Sequence, residues 1–230
     1  MKVVILAGGK GTRLSEYTKT IPKPMIKIGR KTILEHIIKY YERFGFKEFI
    51  IATGYKSKII ENHFKKKKQI KIVNTGLNTL TGLRIKKLEK YLDKTFMLTY
   101  GDGLSNINLN KLLKFHKKHK RLATLTSVHP PARFGEIETK ESLVSKFEEK
   151  PQLQKGWING GFFVFEPGFF KYLLPKKNVM LEREPIKKMV KKKELSAYRH
   201  EGFWFCMDTL RDKNVLENLV KSKKAPWLIK

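Results

Sequence analysis

The residues best suited to chemistry lie at the start of the chain. Leu6-Ala7-Gly8-Gly9-Lys10-Gly11-Thr12-Arg13 begins in an apolar run and leaves it through three glycines. Glycine lets a backbone approach a ligand closely and turn its N–H groups toward it. Lys10 and Arg13 add positive charge, so the pattern suits phosphate. The loop departs from the two commonest phosphate templates. A dinucleotide fingerprint needs Gly where Leu14 stands, and a P-loop counted from Gly8 needs Gly-Lys-Ser/Thr where Arg13-Leu14-Ser15 stand. A tight strand-to-helix turn would also use such glycines. Ten positions after Arg13, Pro22-Lys23-Pro24 holds a lysine in a stiff, extended segment, which suits a second phosphate contact. Asp102, in Tyr100-Gly101-Asp102-Gly103, follows a predicted buried strand at its C-terminal end, where open α/β sheets bind ligands. Gly-Asp-Gly is turn chemistry as well. Asp208 precedes a predicted helix, where an N-cap is the simpler account.

The elements that must position these residues follow from hydrophobic periodicity. Val3–Ala7 is a continuous apolar run, as a strand buried on both faces requires. Thr32–Phe44 has helical spacing through Ile33, Leu34, Ile37, Ile38 and Tyr41, and Gly45 stops it. Strand-length runs at Phe49–Ala52, Ile70–Val73, Thr95–Thr99 and Ala123–Val128 alternate with helical patterns at Ser57–Phe64, Gly82–Leu92 and Leu109–His116. Such alternation predicts a three-layer α/β fold, a mostly parallel Rossmann-like sheet with helices on both faces. After Pro130 the texture changes to shorter strands at Glu136–Glu138, Leu143–Phe147 and Gly161–Phe165. A basic amphipathic helix over Glu184–Lys193, a strand at Ser196–His200 and a closing helix over Thr209–Lys221 follow. The expectation is one domain over 1–230. Its nucleotide-binding half is 1–130, and 131–230 finishes the sheet as a small C-terminal extension completing the substrate pocket.

Composition narrows the function. The chain has 230 residues, 50 Lys+Arg against 21 Asp+Glu, and a formal net charge of +29. That balance raises nucleic-acid binding as a hypothesis. Only nine of the 50 cations are Arg, however, and Arg is the residue that reads bases and stacks. Lysine accumulated on a solvated surface is the simpler account. The single cysteine, Cys206, excludes an internal disulfide and a Cys-based zinc site. The N-terminal apolar run is too short for a signal-peptide core, and no stretch approaches 18 apolar residues, so no membrane partner and a cytoplasmic location are expected.

Taken together, Leu6-Ala7-Gly8-Gly9-x-Gly11-Thr12-Arg13-Leu14 and Pro22-Lys23-Pro24-Met25 resemble the signature of sugar-1-phosphate nucleotidyltransferases. The resemblance continues in order through Tyr100-Gly101-Asp102-Gly103, Arg133-Phe134-Gly135, Glu148-Glu149-Lys150-Pro151, Ile158-Asn159-Gly160-Gly161 and Met207-Asp208-Thr209-Leu210-Arg211-Asp212, and ends at Lys224-Ala225-Pro226-Trp227. Gly103 and Leu210-Arg211 are most similar to the branch of the family that uses CTP and glucose 1-phosphate. The resemblance implies joining CTP and a sugar 1-phosphate to give CDP-glucose and pyrophosphate, with Mg²⁺ as cofactor. The attacking phosphate is already ionised, so positioning and electrostatics carry such a reaction, and no general base is required.

The resemblance also implies the site. Leu6 to Arg13 would cradle the triphosphate and base, that is Leu6, Ala7, Gly8, Gly9, Lys10, Gly11, Thr12 and Arg13. Arg13 would be the main transition-state cation, and Lys23 would contact the nucleotide phosphates. Thr79 and Arg84 match nucleotide-contact positions, and Gly101 would pack under the base or ribose. Glu149 and Lys150 match a pair holding the sugar hydroxyls and acceptor phosphate, while Gly135, Asn159 and Gly160 would line the sugar pocket. Asp102 and Asp208 would hold Mg²⁺, two carboxylates being a normal protein contribution to that ion. Phe203, Trp204 and Phe205 would support the metal site. His36 and His63 read as satisfied helix side chains. His116 and His119, three apart, have no evident carboxylate or cysteine partner. The chain departs from the family at Lys65-Lys66-Lys67-Lys68-Gln69, where a much longer connection is usual. That leaves homo-oligomer formation and the choice of nucleotide and acceptor open.

Overall fold

In the computed structural model the residues described are 1–131, 136–148, 156–174 and 177–229. The expectations for Gly135, Glu149 and Lys150 lie outside them.

Strand β1 (Lys2–Ala7) leads through a 3-10 turn into the short helix α1 (Ser15–Thr18). A small antiparallel pair, β2 (Lys27–Ile28) and β3 (Lys31–Thr32), precedes α2 (Ile33–Arg43). Thr32 caps α2: its hydroxyl accepts from the Glu35 N–H at 3.1 Å, and the Glu35 carboxylate accepts from the Thr32 N–H at 2.7 Å. Next come β4 (Glu48–Thr53), α3 (Ser57–Phe64), β5 (Ile70–Asn74), α4 (Thr81–Lys86) and β6 (Phe96–Tyr100). The chain continues through β7 (Gly103–Ser105), α5 (Leu109–His119), β8 (Ala123–Val128), the pair β9 (Glu136–Lys140) and β10 (Leu143–Glu148), and β11 (Ile158–Phe165). It ends with α6 (Glu184–Lys191), β12 (Leu195–His200), β13 (Trp204–Cys206) and α7 (Leu210–Lys221).

The central sheet has seven strands in the order β12-β8-β11-β6-β1-β4-β5. β11 pairs antiparallel with both β6 and β8, and the other pairings are parallel, so β11 alone runs against the rest. Along β1 the side chains divide between the two faces, as a period of two requires. Val3, Ile5 and Ala7 pack with α2, α5 and Trp227, while Val4 and Leu6 pack with Ile85, Phe96 and Phe165. This is the expected α/β architecture.

Local differences have physical causes. The helix expected over Gly82–Leu92 is α4 followed by a 3-10 turn at Glu89–Tyr91. There the Leu88 and Tyr91 N–H groups bond three residues back, while Leu88 and Leu92 still reach the core. β7 and β13 are three residues each, too short to carry a periodic signal. Lys65 to Gln69 forms a direct turn from α3 into β5, closed by the Lys67 N–H on Phe64 O at 2.8 Å and the Ile70 N–H on Lys67 O at 3.0 Å.

Candidate active site

The register Ala7↔Thr53, Leu6↔Tyr100 and Thr53↔Asn74 brings the C-terminal ends of β1, β4, β5 and β6 to one edge of the sheet. A cavity of about 1090 Å³ opens there. That volume is at the upper end of single-ligand pockets, and so suits two substrates held together. The ends of β1 and β6 nearly touch, with the Gly101 N–H on Leu6 O at 3.0 Å. A Cβ on Gly101 would lie 2.8 Å from that oxygen, so glycine is the residue the junction admits.

Two acidic residues separated by 106 positions (208 − 102) meet because β7 and β13 pair antiparallel, with Cys206 opposite Gly103. The Met207 N–H closes on Asp102 O at 3.0 Å. Thr209, not Asp208, caps α7, and Asp212 accepts from the Asp208 N–H at 2.9 Å. The Asp208 carboxylate is thereby left for other partners. Lys23 is rooted by the 3-10 turn Lys23–Met25, whose Pro24 and Met25 are buried. Its Nζ donates to Asp102 Oδ2 and Asp208 Oδ1, both at 2.6 Å. Arg13 Nη1 donates to Asp208 Oδ2, also at 2.6 Å. Burial opposes the Lys23 charge, but the Asp102 carboxylate and the hydrogen bonds to both carboxylates outweigh it and raise its pKa above the usual lysine value.

Ligand atoms of Asp102, Asp208 and Cys206 lie within 4.8 Å of one another. Burial, with Asp102 next in size, pushes the Cys206 thiol up, so it stays neutral. The donor set is therefore two hard carboxylates, which fits a hard divalent cation. Lys23 Nζ is the cation that these carboxylates share in the structure.

Leu6, Ala7, Gly8, Gly9, Gly11 and Arg13 line the cavity, as do Lys23, Thr79, Arg84, Gly101, Asp102, Asn159 and Asp208. Thr12 lines an adjoining recess of about 220 Å³ with Gly11, Arg13, Lys23 and Asp208. Lys10 is exposed and lines neither. Gly160 is buried behind the wall, its carbonyl accepting from Trp204 Nε1 at 2.7 Å. Arg84 differs from expectation. It is 4% exposed, and its guanidinium donates to Thr53 O at 2.6 Å and Thr79 O at 2.7 Å, and to Thr75 Oγ1. A Cβ on Gly8 would lie 2.0 Å from Arg84 Nη1. Its donors organise the loop ends around Gly8, rather than standing open toward a phosphate.

Sequence reasoning passed over Tyr100, Glu182 and Cys206 as site residues, yet all three line the cavity. No spacing marks Glu182, which lies in a charged stretch before α6. The histidines sit elsewhere. His36 Nε2 meets Ile28 O at 2.9 Å, and His63 pairs with Glu35 at 3.2 Å. His116 does have a carboxylate partner, Glu166 at 3.0 Å, which corrects the expectation; the partner lies 50 positions on, past the reach of local spacing.

The nucleotidyl transferase family model matches residues 2–210. The glucose-1-phosphate cytidylyltransferase of Salmonella typhimurium is 41% identical over 254 aligned positions, covering 99% of this chain and 98% of that protein. A Bacillus subtilis protein named "probable glucose-1-phosphate cytidylyltransferase" is 42% identical, covering 94% of each. Among solved structures, HddC of Yersinia pseudotuberculosis superposes with a TM-score of 0.73 at 23% identity, over 95% of this chain and 99% of its own. The family uses a divalent metal and nucleotide and sugar-phosphate substrates, with which the carboxylate pair and the basic loop agree. The glycine loop, the paired carboxylates and the full-length likeness thus converge: the chain belongs to the nucleotidyl transferase family and is a nucleotidyltransferase.

Proposed function

We propose that this enzyme joins CTP and glucose 1-phosphate to give CDP-glucose and pyrophosphate, with Mg²⁺. The observation that carries the nucleotide and sugar is the 41% identity, over 99% of the chain, to a protein of that name. The metal assignment rests on Asp102 and Asp208 being brought together at the mouth of the cavity.

An oxygen of the sugar phosphate attacks the α-phosphorus of CTP, the bond to the β-phosphate bridging oxygen breaks, and pyrophosphate leaves in line. The work of the protein is to bring two polyanions together. Backbone N–H groups from Gly8 to Gly11 would face the triphosphate, and Arg13, 70% exposed on its side chain, would leave Asp208 for the transferred phosphoryl group. Lys23 exchanges its carboxylates for nucleotide phosphate as the substrate enters. Asp102 and Asp208 would hold Mg²⁺, which when bound would supply positive charge to neutralise the phosphates. Arg84 positions the loop rather than binding phosphate directly. Asn159 would meet the sugar, the role that the family resemblance also gives Gly135, Glu149 and Lys150, while Gly160 would support that wall from behind through its carbonyl on Trp204 Nε1. The substrates are small cytoplasmic anions rather than nucleic acid, and no helix among the described residues is long and apolar enough to cross a membrane. The test is a matrix of four nucleoside triphosphates against several sugar 1-phosphates, read as pyrophosphate release. Release with CTP and glucose 1-phosphate supports the proposal, and release confined to another pair replaces it.

A further inference from the structure

Four carboxylates line the cavity among the described residues, and three have an evident task. Asp102 and Asp208 meet Lys23, and Asp212 accepts the N–H groups of Asp208 and Thr209 at 2.9 and 2.8 Å. Glu182 makes no ion pair among the described residues. It is nevertheless held in place. Its Oε2 accepts from Thr81 Oγ1 at 2.7 Å, and Thr81 Oγ1 accepts from the Leu181 N–H at 2.8 Å. Its Oε1 accepts from the Tyr100 phenol.

The phenol is itself fixed. Its ring stands edge-on to Phe163, with centroids 5.8 Å apart at 72°. It also lies over Gly161, where φ is +75° and a Cβ would come within 2.4 Å of the ring. Asn159 Nδ2 is 3.5 Å from the phenol oxygen, and its Oδ1 accepts from the Gly161 N–H at 2.9 Å. Glu182, Tyr100 and Asn159 therefore form a polar row along the cavity wall, each with its orientation set by neighbours.

A carboxylate accepts about four hydrogen bonds, and two of these places on Glu182 are taken. The remaining places suit neutral donors, since a carboxylate repels phosphate. In a site that binds phosphorylated sugars, the neutral donors are hydroxyls. Building on the proposed function, we infer that Glu182, aimed by Tyr100 and Thr81, accepts a hydrogen bond from a substrate sugar hydroxyl and makes the enzyme selective for it. The hydroxyl belongs to the acceptor hexose or to the ribose of the nucleotide. Glu182 is half-buried and would be covered by the bound substrate; an acceptor covered without its donor is costly, so the site rejects the deoxy analogue.

The test compares kcat/KM for the wild type, Glu182→Gln and Tyr100→Phe. One arm uses 2-, 3-, 4- and 6-deoxyglucose 1-phosphate, and the other uses 2′- and 3′-deoxy-CTP. Whichever nucleotide and sugar pair the wild type turns over sets the parent substrates, so a different substrate pair and a failed Glu182 assignment give different results. For one deoxy substrate the wild type should lose roughly 10- to 150-fold. Glu182→Gln should lose a similar factor on the parent and little more on that same deoxy substrate, since one interaction cannot be removed twice. Tyr100→Phe, which keeps the ring packing, should weaken the same discrimination by a smaller factor, chiefly through KM. If both variants lose equally on every substrate, or retain wild-type discrimination, the assignment is wrong. Should Glu182→Gln fail to fold, Tyr100→Phe decides alone.

Discussion

Replacing Lys23 by methionine tests how the free enzyme holds its two carboxylates. Methionine keeps most of the side-chain volume and removes the charge that Asp102 and Asp208 share at 2.6 Å each. Lys23 is 12% exposed, and the aspartates 27% and 29%, so the cluster lies between two regimes. An exposed pair is worth about 0–1 kcal/mol, and breaking a fully buried one costs about 3–5 kcal/mol. The variant should therefore lose about 1–3 kcal/mol of stability. A divalent cation placed between the carboxylates recovers that amount, because the cost is their unshared charge. Without nucleotide, Mn²⁺ should then bind Lys23→Met about 5- to 150-fold more tightly than wild type, at 1.4 kcal/mol per tenfold. Free Mn²⁺ measured by electron paramagnetic resonance gives the affinity, and calorimetric melting with and without Mn²⁺ gives the linked stabilisation. Turnover should fall, since Lys23 no longer reaches the phosphates. Mn²⁺ binding no tighter than wild type would refute the idea that the ammonium stands where the metal goes.

Asp102→Asn and Asp208→Asn should each lower kcat by about 10²- to 10³-fold, read as pyrophosphate release, with little loss in melting temperature. Gly8→Ala places a methyl group 2.0 Å from Arg84 Nη1, so it should destabilise by about 1–3 kcal/mol in urea unfolding and weaken nucleotide binding together. Burial lowers the pKa of His36, His116, His119 and His200, so the unfolded chain takes up their protons first. Stability should be level above the ordinary histidine value and fall as pH drops below about 6.5, continuing through the lowered folded values. Melting temperatures from pH 8 to pH 5 check this, and a rise on acidification would contradict it.

Much of the fold could be read from local pattern. Val3–Ala7 is legible because a strand buried on both faces must be apolar throughout, and α2 because Ile33, Leu34, Ile37, Ile38 and Tyr41 fall at helical spacing before Gly45. The boundaries of α4 were less legible, since a 3-10 turn keeps nearly the same apolar spacing. In the site, the glycine loop and Lys23 announce themselves by composition. The meeting of Asp102 with Asp208 does not, because it depends on two three-residue strands joined across about a hundred positions. Arg84 could be found by resemblance, but its burial against carbonyl oxygens depends on loops from three separate strands. Glu182 left no mark at all, since its partners lie 82 and 101 positions away. The Lys65–Gln69 turn was visible as a short connection. The alignment with the Salmonella protein spans 254 positions against 230 here, so at least 24 (254 − 230) are filled only in the relative.

The central claim is tested most directly by identifying the product. The purified protein, incubated with CTP, glucose 1-phosphate and Mg²⁺, should give the two coupled phosphorus-31 resonances of CDP-glucose and one equivalent of pyrophosphate, and should form both about 10²- to 10³-fold more slowly when Asp102→Asn replaces the wild type. Unchanged CTP and glucose 1-phosphate beside an active, folded enzyme that consumes another nucleotide and sugar phosphate would contradict it.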